Sequence, residues 1–146
     1  MKSSSMQDVM LQTLEYERGR IEVYEAALSC AVADELRREW KRNLAQSRCQ
    51  ERMFCDACQM MAIDPEETCA TRDAVKQVSS LLVDAIQRAS AKGDTEVAER
   101  IACKCVLLAE TTDYLDWGLL RHVPRPIGAK RRRAVFSPTE RPQRQA

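Results

Sequence analysis

Three groups of side chains in this sequence have the residue types and spacing to do chemistry. The first is a set of acids that recurs along helical apolar stripes: Glu22, Glu25, Glu51 and Glu110, with Gln50 and Tyr114 placed to assist. Turned inward, such carboxylates hold a divalent cation. They have two plainer readings, a structural polar network or a solvated charged face. The second group is Cys55-x-x-Cys58 with Cys103-x-Cys105. Four thiolates select zinc or copper(I); equally, Cys55, Cys58, Cys103 and Cys105 serve as small core residues. On a helix Cys103 and Cys105 point about 200° apart, which makes a shared ion awkward. Thioredoxin-like chemistry at Cys55-x-x-Cys58 would need a helix N-terminus to lower a thiol pKa, and the pair falls near a predicted C-terminus. The third group is the run Lys130, Arg131, Arg132 and Arg133, suited to contact an acidic protein or nucleic acid, or to remain solvated with no fixed partner.

The elements that must position these groups are helices. A first helix is predicted after Ser5 as N-cap, running to about Cys30 with Leu11, Leu14, Ile21 and Leu28 as its stripe. The same spacing passes through Arg18 and Glu25, so charges interrupt the seam and need partners. A second helix runs from Asp34, as cap, to about Ala62 through Leu36, Trp40, Leu44, Ser47, Phe54 and Met61, with Gln50 and Glu51 mid-stripe. Met53, Met60 and Met61 around Phe54 read as core filling in preference to a soft-metal cluster. Asp64-Pro65 ends that helix. A third opens at Thr71 or Asp73, carries Val75, Val78, Leu82, Ile86 and Ala89, and stops at Gly93. The fourth begins at Asp94 or Thr95 and carries Val97, Ile101, Cys105, Leu108, Thr112, Leu115 and Leu119, flanked by Lys104 and Glu110.

Such rods bury their stripes only against one another, so the expected fold is all-α, an antiparallel four-helix bundle over residues 1–123. From residue 124 the apolar pattern stops, four of the five prolines appear, and a disordered basic tail is expected. Residues 125–146 carry seven Lys/Arg against one acid, a net of +6, which leaves −5 on the rest of a chain whose total is +1. With 5% aromatics and four glycines, a β-sandwich or barrel is improbable. Seven cysteines, an odd number, without an N-terminal apolar targeting run point to reduced thiols and a cytoplasmic protein. No apolar run approaches the roughly 20 residues a membrane span needs, so no membrane insertion is expected.

The segments Leu14-Glu15-Tyr16-Glu17 and Ile21-Glu22-Val23-Tyr24-Glu25-Ala26-Ala27-Leu28 resemble the first helix of ferritin-like bundle proteins, and Ala109-Glu110-Thr111-Thr112-Asp113-Tyr114-Leu115-Asp116-Trp117 resembles their last. The resemblance spans roughly residues 8–121. It implies paired metals between the helices, held by Glu on two helices and Glu-x-x-His on the others. This chain departs from that pattern, because its only histidine is His122, Gln50 stands where a histidine would be invited, and Asp113 and Tyr114 stand near Glu110. Lys104 stands where another carboxylate would suit a metal. The implied reading is a degenerate site without cofactor, in which Lys104 neutralises Glu22, Glu25 or Glu51; the function is then structural or interaction-based, and the protein is not an enzyme. The alternative is a divergent carboxylate protein that still binds iron or manganese in a pair, or zinc. By analogy with the family a homodimer is expected.

Overall fold

The computed structural model describes the backbone of residues 2–120 and the side chains of residues 6–111. It contains four helices, α1 (Lys2–Cys30), α2 (Asp34–Met60), α3 (Ala70–Ala91) and α4 (Thr95–Leu120), and no strand among the described residues. None of these helices is long and apolar enough to cross a membrane. The basic run at 130–133, His122 and the predicted tail lie outside the described residues, as do the side chains of Tyr114 and Trp117.

The helix ends follow local chemistry, and several differ from the sequence expectation: α1 begins at Lys2, so the expected cap Ser5 lies inside it, and α3 begins at Ala70 with Cys69 as its N-cap, ahead of the expected Thr71 or Asp73. Asp94 caps α4 as expected, its Oδ1 accepting from the Val97 N–H at 3.2 Å. Gly93, at φ 84°, takes the left-handed conformation that closes α3. The end of α2 falls at Met60, earlier than predicted: Ala62 turns left-handed at φ 57°, the Ile63 N–H returns to the Cys58 carbonyl at 2.8 Å, and Ile63 is buried beyond it. At the start of α2 the predicted Asp34 cap is replaced. The N-cap residue is Ala33, which has no capping side chain, and the Glu99 carboxylate of α4 accepts from the N–H groups of Val32 at 2.5 Å and Ala33 at 2.8 Å. Asp34 pairs instead with Arg37.

Helix α1 packs closely against all three others, and α3 and α4 pack on each other, whereas α2 has no close backbone contact with either of them among the described residues. That central position explains why α1 lacks the single stripe predicted for it. Met10, Leu11, Leu14, Val23, Tyr24 and Ala27 are all buried, on different sides of the helix. Gly19 lies where α1 meets α3: a Cβ there would fall 2.0 Å from Ser79 Oγ. In α4 the buried residues are Ala98, Ala102, Cys105 and Val106, whereas Val97, Leu107 and Leu108 are exposed. The predicted phase therefore misses, because small residues carry the close contact and larger ones stay outside.

Two apolar clusters form the core. One gathers Val23, Tyr24, Ala27, Trp40, Leu44, Ile86 and Ala102; the other Met10, Leu11, Leu14, Phe54, Cys58 and Ile63. Along α1 the clusters are divided by the charged stretch Glu15, Glu17, Arg18 and Arg20.

Candidate functional site

This charged stretch is the densest concentration of ionisable groups in the described interior. Glu17 is wholly buried and its Oε1 accepts from Arg20 Nη1 at 2.9 Å, one helical turn along α1. The Arg20 guanidinium carbon stands 5.9 Å from the centre of the Tyr24 ring, within cation–π range. Tyr24, also fully buried, donates its phenol to Glu110 of α4. Burial above all, with Glu110 adding to it and Arg20 opposing, raises the Tyr24 pKa beyond its ordinary range, so the phenol stays protonated as a donor.

On another side of α1, Arg18 forks between two elements. Its Nε meets Glu51 of α2 at 3.0 Å, and Nη1 and Nη2 meet the two oxygens of Glu66, in the α2–α3 link, at 3.0 and 2.7 Å. The bond from Arg18 holds the Glu66 carboxyl below the usual carboxylate range. Arg18 also reaches Cys55 Sγ at 3.6 Å. A third guanidinium, that of Arg72 at the start of α3, bonds Glu15 Oε1 at 2.8 Å and the carbonyls of Pro65 and Glu67 at 2.6 and 2.8 Å. Arg72 and Glu15 are both buried.

Of the predicted polar core, the structure brings together only part. Gln50 is buried and faces inward on α2, but among the described residues neither amide atom has a hydrogen-bond partner, and the Ser47 hydroxyl one turn away has none either. Glu51 and Glu110 are half-buried and bound by Arg18 and Tyr24. Glu22 and Glu25 are exposed, Glu25 facing Arg48 at 3.6 Å, and Lys104 is exposed on α4. Lys104 therefore does not neutralise the interior acids; Arg18, Arg20 and Arg72 occupy that role. Sequence reasoning placed Arg18 in the seam but missed Glu15, Glu17, Arg20 and Arg72. Arg72 carried a usable signal, a cation in the first turn of a helix, where the dipole disfavours it unless something else holds it.

The cysteine pairs are separated. Cys55 and Cys58 belong with the Phe54 cluster, and Cys103 and Cys105 with the Tyr24 cluster, so the four thiols do not share a site. None of the seven cysteines is in a disulfide. Burial raises the Cys55 pKa, with Glu51 adding to it, and pushes Cys58 up to about 11. These thiols stay protonated near neutral pH, the state least suited to nucleophilic or redox work. Among the described residues, no three His, Cys, Asp or Glu side chains gather where a metal could be held. A small recess of about 190 Å³ opens at the far end, between the α1–α2 and α3–α4 links, lined by Cys30, Val32, Ser90, Asp94 and Ala98 among others.

Chemically, the charged stretch binds and fixes. A guanidinium does not give up its proton in a protein, so each acid it holds keeps a permanent cationic partner. Comparison of the chain with protein-family models, with curated proteins and with solved structures finds no match in any of the three.

Proposed function

We propose that this chain is a non-catalytic antiparallel helical bundle of the ferritin-like kind, in which arginines hold the inward acids that a pair of metals holds in that family, and that it acts through interaction surfaces. The observation that carries the reading is the set of guanidinium–carboxylate pairs along α1: Glu15 with Arg72, Glu17 with Arg20, and Glu51 with Arg18. Each pair neutralises a buried or half-buried charge that would otherwise cost several kcal/mol. The antiparallel arrangement is supported by how contacts run. Arg18 meets Glu51 and Glu25 meets Arg48, while Tyr24 meets Glu110 and Ala33, just past the end of α1, meets Glu99, so numbers rise along α1 and out of its end as they fall on α2 and α4. A homodimer belongs to the same reading. The apolar side chains of Val78, Leu81 and Leu107, exposed on the packed pair α3 and α4, are the surface a second copy would cover.

The test is elemental analysis of protein purified without added metal, together with melting curves in EDTA and in excess iron(II), manganese(II) and zinc(II). The reading expects well under one metal per chain and superimposable melts. Two metals per chain, or a melt raised by several degrees on adding one of these ions, would overturn it in favour of a carboxylate metal protein. Light scattering across a dilution series checks the dimer.

A further inference from the structure

Helix α2 makes its close backbone contacts with α1 alone among the described residues, and its opposite face carries a row of cations. Arg38, Lys41, Arg42, Arg48 and Arg52 are all exposed. At 3.6 residues per turn they fall within an arc of about 120°, centred opposite the buried Trp40, Leu44, Ser47 and Phe54. From Arg38 to Arg52 the row covers 15 residues, a rise of about 21 Å along the helix axis. Of the five, only Arg48 has a carboxylate within ion-pair range among the described residues, and that contact is loose at 3.6 Å. No acid occurs between Trp40 and Gln50; the exposed acids of α2 are Asp34, Glu35 and Glu39 at the start of the row and Asp56 at its end, and Asp34 is taken by Arg37. A row of like charges repels itself, and along its middle stretch, from Lys41 to Cys49, α2 supplies no acid to offset that repulsion.

We propose that this face of α2 binds the phosphate backbone of duplex nucleic acid. The row follows one side of the helix for about 21 Å, in steps of one to six residues and with no acid from Lys41 to Cys49, and a continuous line of anions complements it. A duplex presents one phosphate per about 3.4 Å along each strand, so 21 Å faces several phosphates of one strand. The face carries no aromatic side chain on which bases could stack, which disfavours single strands. Arginine and lysine contacts to phosphate position a protein without reading sequence, so the binding is sequence-independent. Ala45 and Cys49 lie among the cations, and their small side chains let the backbone come close. This assignment stands on the α2 surface alone and is independent of what the interior holds.

The test is fluorescence anisotropy of the full chain with a labelled duplex of about 20 base pairs, titrated from 50 to 200 mM salt. Four to five phosphate contacts predict a slope of log K against log salt of about −3.6 to −4.5, a loss of roughly 150- to 500-fold over that range. Replacing three arginines, R38Q/R42Q/R52Q, is expected to reduce the slope by about 2.7 and weaken binding at low salt by at least tenfold, with the melting temperature unchanged. The charge-preserving R38K/R42K/R52K should bind nearly as the parent. A third variant, with residues 130–133 changed to glutamine, separates this face from the C-terminal basic run. Absence of salt-dependent binding, a Gln variant that binds like the parent, or retention on polyglutamate or anionic vesicles but not on duplexes would each overturn the proposal.

Discussion

Replacing Arg72 by methionine removes a guanidinium while keeping most of its aliphatic bulk. Glu15 then loses its 2.8 Å partner in a site where it is 8% exposed, and the carbonyls of Pro65 and Glu67 lose their donor. Breaking a buried ion pair from one side costs about 3 to 5 kcal/mol. The carbonyls add less, because Glu67 is exposed and water can reach the link. For a domain of this size the loss corresponds to about 10 to 20 °C in melting temperature. Urea and thermal unfolding followed by circular dichroism measure it. The paired change Glu15→Leu with Arg72→Met should recover stability to within about 1 kcal/mol of the parent, because no charge is left buried alone. An R72M loss below about 1 kcal/mol, the range of an exposed pair, or a double variant whose loss equals the sum of the singles, would refute the view that this interior is held by mutual neutralisation.

Three further outcomes follow from single positions. Gln50→Met replaces a buried amide with no partner by a side chain of similar length, and should raise stability by about 1 to 2 kcal/mol in urea melts; a loss would show that the amide has a role the contacts do not give it. Gly19→Ala should destabilise, although alanine is the better helix former by about 1 kcal/mol, because its Cβ meets Ser79 Oγ and Cβ; adding Ser79→Gly should restore much of the loss, and failure to do so would place the strain elsewhere. Cys58, with a thiol pKa pushed from 9.0 up to about 11, contributes stability that is complete below pH 9 and lost as pH rises toward 11, on the order of 3 kcal/mol. A Cys58→Ala variant should therefore show a flatter alkaline stability profile than the parent, and equal slopes would contradict the assignment.

The helices were legible because their signals are local. Asp94 and Gly93 mark the α3–α4 turn by side-chain and backbone chemistry alone, and the α2 stripe of Trp40, Leu44, Ser47, Gln50 and Phe54 is buried as its periodicity predicts. The stripe of α1 was not legible, since periodicity finds the inward face of a helix packed on one side and α1 is packed on three. Glu22 and Glu25 were read inward for that reason, whereas Glu15 and Glu17, on other faces of the same helix, are the buried acids. The phase of α4 failed differently: Ala98 and Ala102 form its contact and carry almost no hydropathy signal, while Val97 and Leu108 carry much and stay outside. The Glu99 cap on Val32 and Ala33 joins residues more than sixty apart, a pairing no local pattern encodes.

The expected counter-ion was a lysine, and arginine fills the role for a geometric reason. Three of the interior cations must each answer more than one acceptor. Arg18 binds Glu51 and both oxygens of Glu66, Arg72 binds Glu15 and two carbonyls, and Arg20 binds Glu17 while lying over the Tyr24 ring. A planar fork with five donors meets acceptors in several directions at fixed angles and stacks on a ring; an ammonium is a point charge with three donors that also demands more hydration. A guanidinium therefore resembles a metal ion in the one property that matters here, the ability to draw groups from different helices to a common centre. It differs in holding its charge permanently, without exchangeable coordination positions. Two of these forks, from Arg18 and Arg72, close on the short α2–α3 link at Pro65, Glu66 and Glu67. The link is thereby fixed to α1 from both sides, and the same groups that neutralise the interior also set the turn between the second and third helices.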